Sequence, residues 1–103
     1  MIYITQVVFT LQSIVILLEH MSDPKITIYG AAWCAYCHVA MRYLDDKGVS
    51  YTYIDVDKDP KSGLEAVEKS GQRGIPVIDL AGDIIVGFDR PRIDVGLRAH
   101  HLV

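Results

Sequence analysis

A chain of 103 residues suits one domain and leaves no room for two. Half of the residues are hydrophobic, enough to fill a small core, and no repeat or low-complexity stretch interrupts them. The net charge of −3 supplies no basic field, so no nucleic-acid partner is expected.

Residues 1–21 form an apolar extension, and residues 22–103 form the domain. Met1 to Leu18 carries no charged side chain and is rich in Ile, Val and Leu. A secretory signal would need a basic residue ahead of the apolar run and a small-residue cleavage site, and neither stands out. A membrane span needs at least about 17 apolar residues. The length allows one, but Thr5, Gln6, Thr10, Gln12 and Ser13 interrupt the stretch and the one flanking positive charge is Lys25, which count against it. Three readings remain: a natural start at Met21 with residues 1–20 as an upstream extension, an extra packed element, or, least favoured, a membrane anchor. Asp23-Pro24 marks a break before the domain in every case.

Lys25-Ile26-Thr27-Ile28-Tyr29 is short and β-branched and predicts a strand. Gly30 to Trp33 is the loop after it. A helix fits from Cys34 to Lys47, where Cys37, Ala40 or Met41, and Leu44 recur at helical spacing and Gly48 stands at a C-cap. Val49 to Val56 predicts the second strand. Asp59-Pro60 offers an N-cap and a proline at the first helical position of a second helix, lined on one side by Leu64 and Val67 and ended by Gly71.

Pro76–Leu80 and Asp83–Val86 are two strands joined by Ala81-Gly82, a connection short enough to make them an antiparallel hairpin. Gly87-Phe88 is a turn, and Asp89 caps a last helix through Ile93 and Leu97. Gly96 weakens that helix by about 1 kcal/mol relative to alanine. The order is β-α-β-α-β-β-α. A helical crossover makes the first two strands parallel and right-handed in connection, and the closing hairpin is antiparallel. The fold class is α/β, a four-stranded mixed sheet flanked by three helices.

The only two cysteines, Cys34 and Cys37, stand two residues apart in Trp33-Cys34-Ala35-Tyr36-Cys37-His38. Two cysteines do not make a disulfide scaffold of the secreted kind, and one Cys-x-x-Cys is half of a four-cysteine zinc site. His20, His38, His100 and His101 show no ligand spacing that would complete it. A Cys-x-x-Cys at the start of a helix after a strand reads as a redox pair. Unpaired N–H groups and the helix dipole favour an anion there. A free cysteine, with its pKa near 8.5, is only about three per cent thiolate at pH 7; such sites bring it to roughly 3.5–7.5. Cys34 is therefore the nucleophile, and Cys37, one turn deeper, resolves the mixed disulfide. The alternatives are a pair of ordinary small hydrophobes, a zinc or iron–sulfur carrier, and a non-catalytic binding module. Asp55 and Asp57 read as a solvated strand end and turn.

Three motifs in order, Trp33-Cys34-Ala35-Tyr36-Cys37, Gly71-Gln72-Arg73-Gly74-Ile75-Pro76-Val77-Ile78 and Val86-Gly87-Phe88-Asp89, resemble small glutaredoxin-like proteins of the YruB and NrdH-redoxin type. The resemblance spans about Lys25 to Leu97 and leaves residues 1–20 uncovered. It implies a thioredoxin fold and a dithiol oxidoreductase that binds no cofactor. It implies a cis Pro76 facing the cysteine pair, with the backbone of Ile75 exposed to a substrate strand. Glutathione would then lie along this edge: Ile75 on its cysteinyl backbone, Phe88 and Asp89 on its γ-glutamyl end, and Gln72 or Arg73 on its glycine carboxylate. Asp89 also reads as a plain N-cap, and Arg73 as a solvated loop charge.

Three positions depart from the glutaredoxin pattern. Ala31 stands where many members carry lysine, Gly74-Ile75 replaces Thr-Val, and Val86 replaces the first of two glycines. All three weaken the case for glutathione. Trp33 ahead of Cys34 is similar to thioredoxin and points to thioredoxin reductase as the electron source. Trp33 and Tyr36 are read as part of the docking surface for disulfide-containing protein substrates. A cytoplasmic monomer is expected.

Overall fold

The computed structural model describes residues 25–103. The expectations for the apolar extension, residues 1–21, lie outside the described residues.

β1 (Ile26–Gly30) is followed by α1 (Ala35–Asp46), β2 (Thr52–Asp55), α2 (Pro60–Ser70), β3 (Val77–Leu80), β4 (Asp83–Val86) and α3 (Arg90–Ala99). The sheet order is β2-β1-β3-β4. β1 runs parallel to β2, with Ile28 opposite Tyr53, and antiparallel to β3, with Ile28 opposite Ile78. β3 and β4 form the antiparallel hairpin. This is the four-stranded mixed sheet expected from the element order, and the thioredoxin fold that the resemblance implies.

Alternation along the strands sends two sets of side chains to opposite faces. Ile26, Ile28, Ile78, Leu80 and Ile85 pack with Ala40 and Leu44 of α1 and Ile93 and Leu97 of α3. On the other face Tyr29 and Val77 pack with Ala66 of α2. Each fully buried Ile or Leu contributes about 1.5–3 kcal/mol relative to exposure.

The helix starts are set by side chains. Asp59 accepts from Ser62 N at 3.4 Å and from Ser62 Oγ at 2.6 Å, with Pro60 in the first turn. Asp89 accepts from Arg92 N at 3.3 Å at the head of α3. α2 stops at Gly71, whose φ of 72° is a left-handed value that glycine adopts without a side-chain clash. The hairpin turn puts both Ala81 (φ 54°) and Gly82 (φ 101°) at positive φ, the twist a two-residue connection requires. Asp79 Oδ1 steadies it by accepting from Gly82 N at 2.9 Å.

Two boundaries and one helix face differ from the sequence expectation. The second strand covers Thr52–Asp55 rather than Val49–Val56, because Val49 N is used to close the end of α1 on Leu44 O at 3.1 Å. β3 begins at Val77 because Pro76 has no N–H to give the ladder. On α2, Leu64 does not line the buried side: it is 68% exposed, and the small residues Ser62 and Ala66 are buried instead.

Candidate active site at the head of the first helix

β1 ends at Gly30, and the loop Ala31–Trp33 turns the chain into α1 with Cys34 as its N-cap. Cys34 N donates to Ala31 O at 3.1 Å, which closes the loop. The Cys34 sulfur takes the role an oxygen usually has at an N-cap and accepts from Cys37 N at 3.2 Å. The Cys34 sulfur thus sits at the N-terminal end of α1, where the helix dipole favours an anion.

Cys34 and Cys37 are joined as a disulfide, with Cα atoms 5.3 Å apart. That separation lies within the range such bonds use. Cys37 is 0% exposed and Cys34 6% exposed, the order the sequence predicts. Ala31, Cys34 and Cys37 form one small apolar cluster, and Ile75 packs against it. Gly30 makes room for Cys37: a Cβ there would stand 2.9 Å from Cys37 Sγ.

The Ile75–Pro76 peptide bond is cis, as the resemblance implies. Pro76 is buried, and its carbonyl accepts from Gly87 N at 2.8 Å, tying the two later motifs together. Phe88 is half-buried and meets the Tyr43 ring edge-on at 5.5 Å. Asp89, also half-buried, caps α3. The structure therefore brings Ile75 onto the cysteine cluster and places Phe88 and Asp89 directly after the Gly87 link to Pro76.

The loop before Pro76 is held by Gln72. Its Nε2 donates to Ser70 Oγ at 3.1 Å and to Gly74 O at 2.9 Å, while its Oε1 accepts from Gly74 N. The amide is thus committed to its own loop. Gly74 is the residue that permits this, since a Cβ there would lie 2.6 Å from Gln72 Oε1. Arg73 is exposed and makes no ion pair among the described residues.

Trp33 is 72% exposed and Tyr36 67% exposed, on either side of Cys34. Trp33 Nε1 donates to Asp57 Oδ2 at 2.7 Å. The expectation that Asp57 is only a solvated turn residue is therefore incomplete. Asp55 does serve the turn, accepting from Asp57 N at 2.9 Å and Lys58 N at 3.3 Å. His38 Nε2 donates to Ala32 O at 2.8 Å, fastening α1 to the loop that precedes it. Neither tie shows in the sequence: each joins residues of different segments through one polar atom.

Among the described residues, no three His, Cys, Asp or Glu side chains converge in a way that would hold a metal ion. Also among them, no helix is long and apolar enough to cross a membrane.

The family model for glutaredoxin matches residues 26–85. A glutaredoxin-like 8.6 kDa protein of the rubredoxin operon in Clostridium pasteurianum is 38% identical over 69 residues, covering 67% of this chain and 92% of that one. The glutaredoxin-like protein NrdH of Escherichia coli K12 is 36% identical over 67 residues, covering 65% of this chain and 80% of its own length. Among solved structures, the NrdH-redoxin of Escherichia coli superposes with a TM-score of 0.61 at 31% identity, over 68% of this chain and 91% of that one. The glutaredoxin of Archaeoglobus fulgidus shares the fold with a TM-score of 0.68 at 21% identity, over 79% and 94% of the two chains. With the sheet order, the capped cysteine pair and this span of similarity agreeing, the chain belongs to the glutaredoxin family and carries the active-site disulfide of a dithiol oxidoreductase.

Proposed function

We propose that the protein reduces disulfides in partner proteins, or glutathione mixed disulfides, by a dithiol cycle at Cys34 and Cys37. The observation that carries this is the Cys34 sulfur acting as N-cap of α1 with the Cys37 sulfur fully buried behind it. In the reduced form Cys34 thiolate attacks one substrate sulfur, forming a mixed disulfide and expelling the other sulfur as a thiolate. Cys37, deprotonated, then attacks Cys34 Sγ. The substrate's second sulfur leaves and takes up a proton, and the protein is left as the disulfide described above. Two electrons have passed to the substrate, and an outside dithiol or glutathione returns them.

Ile75 offers its backbone to an extended substrate beside the pair, positioned by Pro76, while Trp33 and Tyr36 supply exposed aromatic area for docking. Of the two electron sources, thioredoxin reductase is the better fit. Ala31 supplies no cation, and the Gln72 amide is committed to Ser70 and Gly74 rather than offered to a glycine carboxylate. The Escherichia coli relative is described as glutaredoxin-like with a thioredoxin-like activity profile. Glutathione remains the second reading, favoured by exposed Arg73 and by Asp89 and Phe88 along the same edge. The active unit is residues 22–103 as a monomer, in a reducing compartment such as the cytoplasm.

A disulfide-reduction assay run once with glutathione and its reductase, and once with thioredoxin reductase, separates the two sources. Cys34→Ser should abolish turnover with both. Cys37→Ser should accumulate a mixed disulfide on Cys34. Unchanged turnover in Cys34→Ser would overturn the dithiol cycle and favour a binding module. A coloured dimer from oxygen-free purification would favour a cluster carrier.

A further inference from the structure

Tyr53 stands on β2 with its ring packed against the core shared by α1 and α3. Its hydroxyl oxygen is buried and has no hydrogen-bond partner among the described residues, alone among their buried side-chain polar atoms. A buried hydroxyl left unpaired is costly, and such a group in a native structure calls for a reason.

Its neighbourhood supplies one. A Cβ built on Gly30 would lie 2.9 Å from Tyr53 Cε2 and 2.9 Å from Cys37 Sγ. The missing side chain of Gly30 therefore lets the edge of the Tyr53 ring and the resolving sulfur approach the same point. Burial, followed by the carboxylates of Asp55 and Asp57, makes the phenol harder to ionise than usual. It stays an O–H donor while the dithiol cycles.

The sulfur on the other side of Gly30 changes its accepting power with redox state. In the disulfide, Cys37 Sγ is bonded to Cys34 Sγ and is a weak acceptor. A dithiol reductant delivers two electrons and two protons and becomes a disulfide itself. The S–S bond breaks, and Cys37 keeps a sulfur that is free to turn and to accept. We infer that Tyr53 is a positioning residue for Cys37, with its hydroxyl unpaired in the oxidised form and donating to Cys37 Sγ in the reduced form. It thereby biases the couple toward the dithiol. The inference rests on the dithiol cycle proposed above.

The test equilibrates the wild-type chain and Tyr53→Phe with mixtures of reduced and oxidised dithiothreitol, then counts disulfide by acid quench, alkylation and mass. Tyr53→Phe relieves the oxidised form of an unpaired hydroxyl and deprives the reduced form of a donor. Both effects move the equilibrium toward the disulfide, by about ten-fold, or ~30 mV more negative for this two-electron couple. A ratio unchanged within about two-fold, or a shift toward the dithiol, overturns the inference. Melting of each redox form is the second readout. The oxidised form of Tyr53→Phe should gain on its reduced form relative to wild type. Equal changes in both overturn the assignment and leave the phenol satisfied alike in the two states. A wild-type chain that never closes the disulfide overturns the dithiol cycle and this inference together. A wild type that cycles, with Tyr53→Phe identical to it, overturns the inference alone.

Discussion

The indole N–H of Trp33 donates to the Asp57 carboxylate at 2.7 Å, joining the residue beside Cys34 to the turn after β2, 24 positions along the chain. The ring is 72% exposed, so this bond, rather than packing, fixes its orientation. Exposed aromatic area held in one pose docks a partner at lower entropic cost than a swinging ring.

Asp57→Ala should therefore leave the fold in place and loosen Trp33. Because Trp33 is the only tryptophan, its fluorescence reports the site directly. Anisotropy should fall, and kcat/KM for a protein disulfide should drop several-fold, while global stability changes by less than about 1 kcal/mol. Unchanged anisotropy would show that the bond does not orient the ring.

Asp89 has two candidate duties, capping α3 and meeting the amino end of glutathione, and two substitutions separate them. Asp89→Ala removes both and should cost about 1 kcal/mol in stability. Asp89→Ser keeps a capping oxygen without the charge. It should melt near the wild type yet lose activity with glutathione mixed disulfides. Full glutathione activity in Asp89→Ser would assign the residue to the cap alone.

Gly30 tolerates no side chain. In Gly30→Ala the new methyl would meet Cys37 Sγ at 2.9 Å and Tyr53 Cε2 at 2.9 Å, both within the packed interior behind the site. Overpacking of this kind costs about 1–3 kcal/mol. Urea unfolding should report that loss, and resolution by Cys37, read as decay of the mixed disulfide, should slow. A neutral substitution would mean that helix α1 shifts freely away from the sheet.

On the α2 face, Lys69 Nζ reaches Asp79 Oδ2 at 2.8 Å and Tyr29 Oη at 2.9 Å. Those two bonds, Asp79 first, raise the Lys69 pKa. Burial by itself would push Asp79 up, but the Lys69 bond, the Gly82 N–H and the Lys69 charge together hold it below the usual carboxylate range. A carboxylate depressed in the folded state adds stability above its unfolded pKa, near 3.9. That stability is lost as pH falls through the folded value. Lys69→Met should therefore be destabilising at neutral pH, with the gap to wild type closing below about pH 4. A gap that stays constant down to about pH 2 would show that Lys69 acts through its aliphatic stem.

The sequence disclosed this site unevenly, for physical reasons. Cys34 and Cys37 were legible because a cysteine pair at the start of a helix has few other uses. Asp59, Asp89, Gly71 and Gly82 were legible because caps and turns depend on local chemistry. The cis bond at Pro76 entered through resemblance, since sequence spacing alone does not select an isomer. What stayed hidden was long-range and polar. Asp57 looked like any acidic turn residue until the fold brought Trp33 to it. Gln72 looked like a ligand for a carboxylate until its amide folded back on Gly74. Leu64 seemed to mark the inner side of α2 by its hydrophobicity, but the residues the helix buries are the small Ser62 and Ala66.

The sulfur proposed as nucleophile is also the structural plug of its helix, since it accepts the Cys37 N–H. Inactive versions of this protein are consequently not interchangeable as controls. Cys34→Ser should remove the reactive thiol and leave an acceptor for that amide, whereas Cys34→Ala should remove both. Any partner lost only with alanine would be responding to a frayed first turn, not to missing electrons.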